Sequence, residues 1–369
     1  MIYLDNAATT KTAPEVVDAM LPYFSEYFGN PSSIYALGAS SKKALNQARR
    51  TIAESLGAKA EEIYFTAGGS EADNWALKAA AESYGGAGGH IITTKIEHPA
   101  ILNTCHYLEE RGYTVTYLDV DGEGMVNPET VEQAIRSDTF LISIMMANNE
   151  IGTIEPIAEI GKIARAHDIL FHTDAVQAFG QLPIDVDAMQ IDLLSASGHK
   201  LNGPKGIGFL YIRSGVKLRS FVHGGGQERS RRAGTENVPG IVGLGAATER
   251  AMRILEGKTK KEITLRNYLI ERLEKEVPYC HLNGHRTKRL PNNVNFSFRF
   301  VQGESVLIML DMKGICGLTP EEARGSLRLT LSEDNTREEI DTTVEAVKAI
   351  VERLRSMSEE YESFQRAKK

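Results

Sequence analysis

The stretch "SASGHKLNGPKG" (195–206) sets Lys200 among Gly198, Gly203 and Gly206, directly after a run that reads as the end of a strand. Glycines let the backbone approach a bound group closely, and a lysine amine can form a Schiff base with a carbonyl cofactor or substrate. By itself Lys200 reads as a surface lysine in a turn, so a pocket has to come from elsewhere in the chain. "FTAGGSEADN" (65–74) is a strand, a glycine turn and then Ser70 at a helix start. Backbone N–H groups and a hydroxyl there make either a phosphate cup or an ordinary helix cap. "ILFHTDAVQA" (169–178) ends an apolar strand with Asp174 and places Gln177 just beyond it. An acid at the carboxyl end of a parallel strand faces the ligand crevice of an open α/β sheet. It can pair with a protonated ring nitrogen or cap a helix. "TKIEHPAIL" (94–102) puts His98 at another strand end, before Pro99. Its imidazole can stack on a planar ring, cap the helix or sit in a core. Each signal is weak alone. Together they supply a phosphate cup, a ring-nitrogen acid, a stacking imidazole and a Schiff-base lysine, which is the set that pyridoxal 5′-phosphate requires.

Elements of the right kind surround these residues. "EIYFT" (62–66), "HIITT" (90–94), "TVTYL" (114–118), "FLISIMM" (140–146), "ILFHT" (169–173), "DLLSAS" (192–197) and "GIGFLYI" (206–212) read as strands. Amphipathic stretches such as "EADNWALKAAAES" (71–83) and "IAEIGKIARAH" (157–167) lie between them. This alternation predicts an α/β fold with a mostly parallel seven-stranded sheet covered on both faces. From about residue 238 the pattern changes to a long helix, strand-like "NNVNFSF" (292–298), helical "SVLIMLDMK" (305–313), strand-like "SLRLTL" (326–331) and a closing helix. That helix opens with Thr336 and carries Glu339 at its third position, a capping box. A smaller α+β C-terminal domain is expected. The boundaries expected are 14–256 for the large domain, with 1–13 and 257–369 forming the small one. The tail "EEYESFQRAKK" reads as a solvated helix end.

Composition narrows the function. The chain has 369 residues, 42% hydrophobic and 25% charged, with a formal net charge of −7. That balance fits an ordinary soluble globular protein and argues against a broad nucleic-acid-binding surface. No apolar run approaches membrane-spanning length, and "MIYLDNAATT" lacks the basic and apolar regions of a signal peptide, so a cytoplasmic protein is expected. Cys105, Cys280 and Cys316 are far apart and form no CxxC, which disfavours a disulfide scaffold or a cysteine-rich metal site. The run Arg229, Arg231, Arg232 reads as a solvated loop rather than a nucleic-acid patch. In "SLRLTL", Ser326, Arg328 and Thr330 share one face of a strand while the leucines take the other. The Arg328 fork suits a carboxylate, and a solvent-facing edge arginine is the alternative.

The motifs "YLDNAATT" (3–10), "NPSS" (30–33), "GGSEADN" (68–74), "EHPAIL" (97–102), "NNEIGT" (148–153), "HTDAVQ" (172–177), "SGHKLNGPKG" (197–206), "GGGQERSRRAGTEN" (224–237) and "GSLRLTL" (325–331) occur in this order. Through them the chain resembles, nearly end to end, the NifS-like cysteine desulfurases of the class V aminotransferase group of fold-type I enzymes. The resemblance implies that Lys200 holds pyridoxal 5′-phosphate and that His98 stacks on its ring and serves in proton transfer. It implies that Asp174 keeps the ring nitrogen protonated and that Gln177 bonds the ring hydroxyl. Ser70, Ser197 and His199 would bind the phosphate, with Thr235 supplied by the neighbouring subunit of a homodimer. Asn149 and Arg328 would grip the α-carboxylate of L-cysteine. The implied reaction yields L-alanine and passes sulfur to an iron–sulfur scaffold or a tRNA-thiolation acceptor.

Two departures stand out. Tyr35 occupies a position where relatives usually carry histidine. In "DMKGICGLTPEE" (311–322), Cys316 runs directly into "GL". The family places a Ser/Gly-rich loop of roughly twenty residues there, long enough to signal function, and that loop carries the nucleophilic cysteine. Cys316 matches a position ahead of it and reads as a small buried structural thiol. Sulfur abstraction is therefore expected to be impaired. The alternatives are other amino-acid chemistry, such as transamination or β-elimination, or a non-catalytic partner protein that keeps the fold.

Overall fold

Strands that are apolar on both faces need cover on both faces. In the computed structural model, which describes residues 1–316 and 326–368, they obtain it. In chain order the strands are β1 (Ile2–Tyr3), β2 (Ile63–Thr66), β3 (His90–Thr94), β4 (Thr114–Leu118), β5 (Thr139–Ser143) and β6 (Leu170–Asp174). They continue with β7 (Leu193–Ser197), β8 (Gly208–Ile212), β9 (Cys280–Leu282), β10 (Asn293–Phe298), β11 (Ile315–Cys316) and β12 (Ser326–Thr330). The chain divides into two compact units. The larger holds Thr10–Asn148 and Glu155–Ile254; the smaller holds Met1–Thr9, Asn149–Ile154 and the described residues from Leu255 on.

The larger unit is built on a seven-stranded sheet in the order β2-β8-β7-β6-β5-β3-β4. Only β8 runs against its neighbours; the other pairings are parallel. Adjacent residues go to opposite faces, as the pleat requires. Ile92, Leu194 and Phe209 join one hydrophobic cluster, while Ile91, Leu193 and Leu210 join the other. The helix Gly69–Tyr84 covers the second face, with Trp75 buried edge-on against Tyr64. Because the strands run one way, Thr66, Thr94, Asp174 and Ser197 all arrive at the same sheet edge.

One loop of this unit is held against its own backbone preference. Glu228, Arg229 and Ser230 all have positive φ, at 43°, 57° and 61°. Single residues visit that region at a cost, and a run persists only when surroundings over-determine it. Here Glu228 is buried, takes Arg49 through both carboxylate oxygens at 2.6 and 2.8 Å, and accepts from Phe65 N at 2.9 Å. Arg229 donates to Ile63 O and lies over the Tyr64 ring, and Arg232 grips Glu71 at 2.7 and 3.1 Å. The basic run expected to be a solvated loop is instead a fastened one. A sequence of like charges does not reveal the acids that meet it in space.

The smaller unit pairs β1 with β11 in parallel and orders a second sheet β12-β10-β9. Leu327, Leu329 and Leu331 pack with Leu4, Phe296 and Val344. Thr336 and Glu339 form the expected capping box of the helix Arg337–Ser356. The closing helix Glu359–Ala367 is more than a solvated tail, because Phe364 packs 4.9 Å from Phe300 and 5.4 Å from Tyr279 between ring centroids. No helix among the described residues is long and apolar enough to cross a membrane. The shortened connection after Cys316 falls on residues 317–325, outside the described residues.

Arg49→Met should destabilise the larger unit by about 3–5 kcal/mol, because it leaves Glu228 as an uncompensated buried charge. Urea unfolding of variant and parent checks this. A loss below about 1 kcal/mol would mean that Glu228 finds its counter-charge elsewhere.

Candidate active site

Lys200 follows β7 within a single turn of 3₁₀ helix, Gly198–Lys200. Gly198 N donates to Ile207 O at 3.0 Å, and Gly198 O accepts from Leu201 N and Gly203 N at 3.2 and 2.9 Å. A Cβ on Gly203 would lie 2.7 Å from that same oxygen, so glycine is needed there for close approach. Thr10 locks the loop from outside. Its hydroxyl donates to His199 O and accepts from Asn202 N, both at 2.8 Å. The Lys200 backbone is thus fixed on both sides. His199 is half-buried, and burial, followed by the charges of Lys200 and Lys205, pushes its imidazole down to about 4. It is neutral at pH 7.

The candidate phosphate turn leaves β2 through Gly68, whose φ of +153° suits glycine. A Cβ on Gly69 would meet Val176 Cγ2 at 2.6 Å, and one on Gly208 would lie 2.4 Å from Ala196 O. Gly69 thus packs against the turn after β6, Gly68 lies close against Gly208 at the start of β8, and Ser197 stands beside both. The helix then begins with Ser70 exposed in its first turn and no side chain capping from Gly68. Open amides and the helix dipole favour an anion at that place. Glu71 bonds back to Ala67 N at 2.9 Å while holding Arg232, which ties the loop carrying Thr235 to the helix start. Thr235 lines a cavity of about 170 Å³ with Thr66, Ala67 and Gly206.

Asp174 ends β6 and is buried, with Oδ1 accepting from Val176 N at 2.8 Å. Burial raises its pKa, while that hydrogen bond and the neighbouring His98 and Lys200 pull it back. The three side chains therefore share one electrostatic neighbourhood, with Gln177 in the turn that follows. His98 is the cap of the helix Pro99–Glu109; its Nδ1 accepts from Ala100 N at 3.1 Å. The capping alternative is realised. It uses a lone pair in the ring plane, so it does not compete with stacking on the ring's face, and it leaves the neutral ring's proton on Nε2.

Behind Asp174 lies a polar network that the sequence reading did not single out. His172 bonds Ser143 Oγ at 2.9 Å and Ser195 Oγ at 3.0 Å, with Asp73 Oδ1 3.8 Å from its Nε2. Burial pushes His172 down to about 3. Burial, then the Asp174 charge, pushes Asp73 well up. Glu97 is pushed up to about 8 by burial; its Oε1 accepts from Thr94 Oγ1 at 2.8 Å and Met145 N at 3.0 Å. Neighbouring carboxyls in one dry site cannot all ionise. Burial favours the protonated form of both Asp73 and Glu97, which limits the negative charge facing Asp174. A histidine inside the apolar run "ILFHT" and an acid just before His98 were the available signals.

In the smaller unit Arg328 is buried, which overturns the solvent-facing alternative. Its Nη2 donates to Asp5 Oδ1 at 3.0 Å and its Nη1 to Glu150 Oε1 at 2.6 Å. Asn149 Nδ2 donates to the same Glu150 oxygen at 2.6 Å. Asn149 and Arg328 do converge, on a carboxylate that the chain itself supplies. Cys316 is not the buried thiol expected. It is half-exposed, because β11 is a two-residue strand paired with β1, and its Sγ lies 3.7 Å from Asp311 Oδ1. Burial, and then Asp311, raises its pKa, so the reactive thiolate is disfavoured.

The larger unit's donors fit pyridoxal 5′-phosphate: a glycine-bounded helix start for the phosphate, a buried acid for the ring nitrogen and a fixed lysine. The comparisons with known proteins agree with this geometry. The family model described as aminotransferase class-V matches residues 2–342. A cysteine desulfurase IscS from Methanosarcina thermophila is 55% identical over 378 residues, covering 97% of this chain and 93% of the relative. A solved NifS-like protein superposes with a TM-score of 0.91 at 38% identity, covering 95% of this chain and 99% of the other. SspA, solved in complex with cysteine, gives 0.80 at 38% identity, covering 91% and 100%.

The carboxyl at Glu97 sets a pH dependence. Its folded pKa of about 8 stands above the ordinary glutamate value, so the stability it contributes is complete at acid pH and is lost as pH rises toward 8. Glu97→Gln should be nearly neutral at pH 5. It should gain on the parent by up to about 1.4 kcal/mol per pH unit between pH 5 and 8. Unfolding curves at several pH values check this, and parallel profiles would rule out the buried neutral acid.

Proposed function

The chain belongs to the class V aminotransferase family, among its cysteine desulfurases, and we propose that it acts on L-cysteine to yield L-alanine and transferable sulfur. The observation that carries this reading is the shared electrostatic neighbourhood of Lys200, His98 and Asp174 at the carboxyl edge of the sheet. The IscS relative and the cysteine-bound SspA structure support the choice of substrate. In this reading Lys200 holds pyridoxal 5′-phosphate, Ser70, Ser197 and His199 take its phosphate, Gln177 its ring hydroxyl, and Asp174 its ring nitrogen. When bound, that cofactor supplies an electron sink for bonds at the substrate's α-carbon. Asp174 holds a proton on the ring nitrogen, because a buried carboxylate gains most from a cationic partner. The raised pKa values of Asp73 and Glu97 lessen the repulsion it meets. His98 moves a proton at Nε2, since Nδ1 is engaged by Ala100 N. Asn149 and Arg328 receive the α-carboxylate.

We place the weak step at sulfur abstraction. The alignment with the Methanosarcina relative spans 378 positions, more than the 369 residues of this chain, so the relative carries residues without a counterpart here. That excess supports a lost loop. Cys316 is fastened by pairing with Tyr3, and misplacing a nucleophile by an ångström costs roughly a hundredfold. A second reading, β-elimination or transamination through Lys200, draws on the same shortage of a mobile thiol. Sulfur that is released would go to an iron–sulfur scaffold or a tRNA-thiolation acceptor in the cytoplasm. A homodimer is supported by Leu21, Phe24, Tyr27, Phe28 and Ile34, apolar side chains exposed along one short stretch. The exposed Thr235 would serve the partner's phosphate.

Borohydride should fix the cofactor on the peptide carrying Lys200, and Lys200→Ala should abolish this; label on Lys205 would sink the assignment. With L-cysteine under reducing conditions the cofactor absorbance should change. Alanine and sulfide should nevertheless form about 100-fold more slowly than in a variant with a Ser/Gly-rich, one-cysteine loop inserted between Cys316 and Gly317. Fast desulfuration by the parent, abolished by Cys316→Ser, would instead make Cys316 the sulfur acceptor. Mixed dimers of Thr235→Ala and Lys200→Ala chains should retain cofactor normally at the intact Lys200, whose phosphate is served by the other chain's intact Thr235, and poor retention there would place Thr235 in its own chain's site. A monomer that binds cofactor tightly would rule out the shared site.

A further inference from the structure

Arg328 already faces two carboxylates, and the proposed reading asks it to take a third. Asp5 holds Nη2 and Glu150 holds Nη1. Like charges crowded within about 4 Å of one another repel strongly even in a partly wet site, so a substrate carboxylate cannot simply be added. One of the two residents has to leave. Asp5 is buried, and its backbone is bridged to Thr330. Glu150 is different. Its side chain keeps 30% of its exposure. Its backbone is anchored, with the carbonyl accepting from Asn293 Nδ2 at 3.1 Å and Asn295 Nδ2 at 3.0 Å. The side chain can swing while the turn stays in place. Gly152 tightens this anchorage, because a Cβ there would meet Asn293 Cγ at 2.6 Å.

We infer that Glu150 is an internal occupant of the carboxylate subsite, filling it until a substrate carboxylate displaces it. A single oxygen, Glu150 Oε1, accepts from Asn149 Nδ2 and Arg328 Nη1, both at 2.6 Å. Those are the two groups that the proposed function gives to the substrate, and the inference rests on that reading. A charge-assisted bond of this kind is among the stronger ones a protein makes. A ligand must therefore break it before gaining its own. Glu150 thus sets a threshold: carboxylates with few other contacts are excluded, and amino acids with further contacts enter. It also keeps Arg328 neutralised, and so tolerable in its buried position, between turnovers.

The test is calorimetric titration of the holoenzyme with L-alanine, and with L-alaninamide as the carboxylate-free control. Glu150→Gln should tighten L-alanine binding by roughly five- to tenfold, since a charge-assisted bond no longer has to be broken. Glu150→Asp keeps the charge but is a methylene too short to reach Arg328, and should tighten binding as well. L-alaninamide should be unaffected by either change. Unchanged or weaker L-alanine binding in both variants would overturn the inference. So would tightening by Glu150→Gln alone, which would reveal a through-space charge effect without occupancy. Arg328→Gln reports separately on the underlying reading. It should weaken L-alanine at least tenfold, and an unaltered affinity would remove Arg328 from carboxylate binding and the inference with it.

Discussion

The carboxyl of Asp174 lies out of water at the end of a central strand, and much of the larger unit is arranged around the cost of that position. A buried carboxylate needs a counter-charge, hydrogen bonds, or a proton. Val176 N supplies one bond, Lys200 supplies positive potential, and His98 stands near it on another loop. Asp73 and Glu97 carry carboxyls into the same interior, and burial raises the pKa of both, which limits the negative charge that Asp174 meets. His172, neutral between two serine hydroxyls, fills the space behind it without adding charge. A site tuned in this way favours a ligand that brings a cation to one point and an anion to the helix start nearby.

The smaller unit meets the same constraint with the sign reversed. Arg328 is a buried cation, and Asp5 and Glu150 make it tolerable. The polar face that β10 turns toward it, with Asn293 and Asn295, is used to hold the Asn149–Ile154 turn rather than the guanidinium itself. Buried ion pairs add little net stability, so the value of such a cluster lies in what it can exchange. The Arg49–Glu228 pair is a contrast. Both of its side chains are buried, and it fastens a backbone segment held at positive φ. That pair has no slack to give to a ligand.

Much of the fold could be read from pattern alone. The period-two alternation of Ile91 and Ile92, or of Leu193 and Leu194, dictates a sheet covered on both faces, and the structure sends each member to its own core cluster. Thr336 and Glu339 announce their helix through local hydrogen bonding. The candidate site was legible where a residue's role depends on its own strand end or turn: Lys200 among its glycines, Ser70 at its helix start, Asp174 after its strand. Such signals survive in one dimension because the elements that create them are contiguous.

Other residues became legible only in three dimensions. Arg232 and Glu71 are distant in sequence, as are Thr10 and His199, Arg328 and Asp5, or Glu150 and Asn295. Nothing local marks them, because each is one half of a pair closed by the fold. Burial decided the rest. It left Cys316 half-exposed on a two-residue strand, buried Arg328, and raised the pKa of Asp73 and Glu97. The sequence determined which chemical groups exist and at which strand ends they stand. The tertiary structure decided which of them are charged, because ionisation depends on the water and the counter-charges that packing removes or brings near.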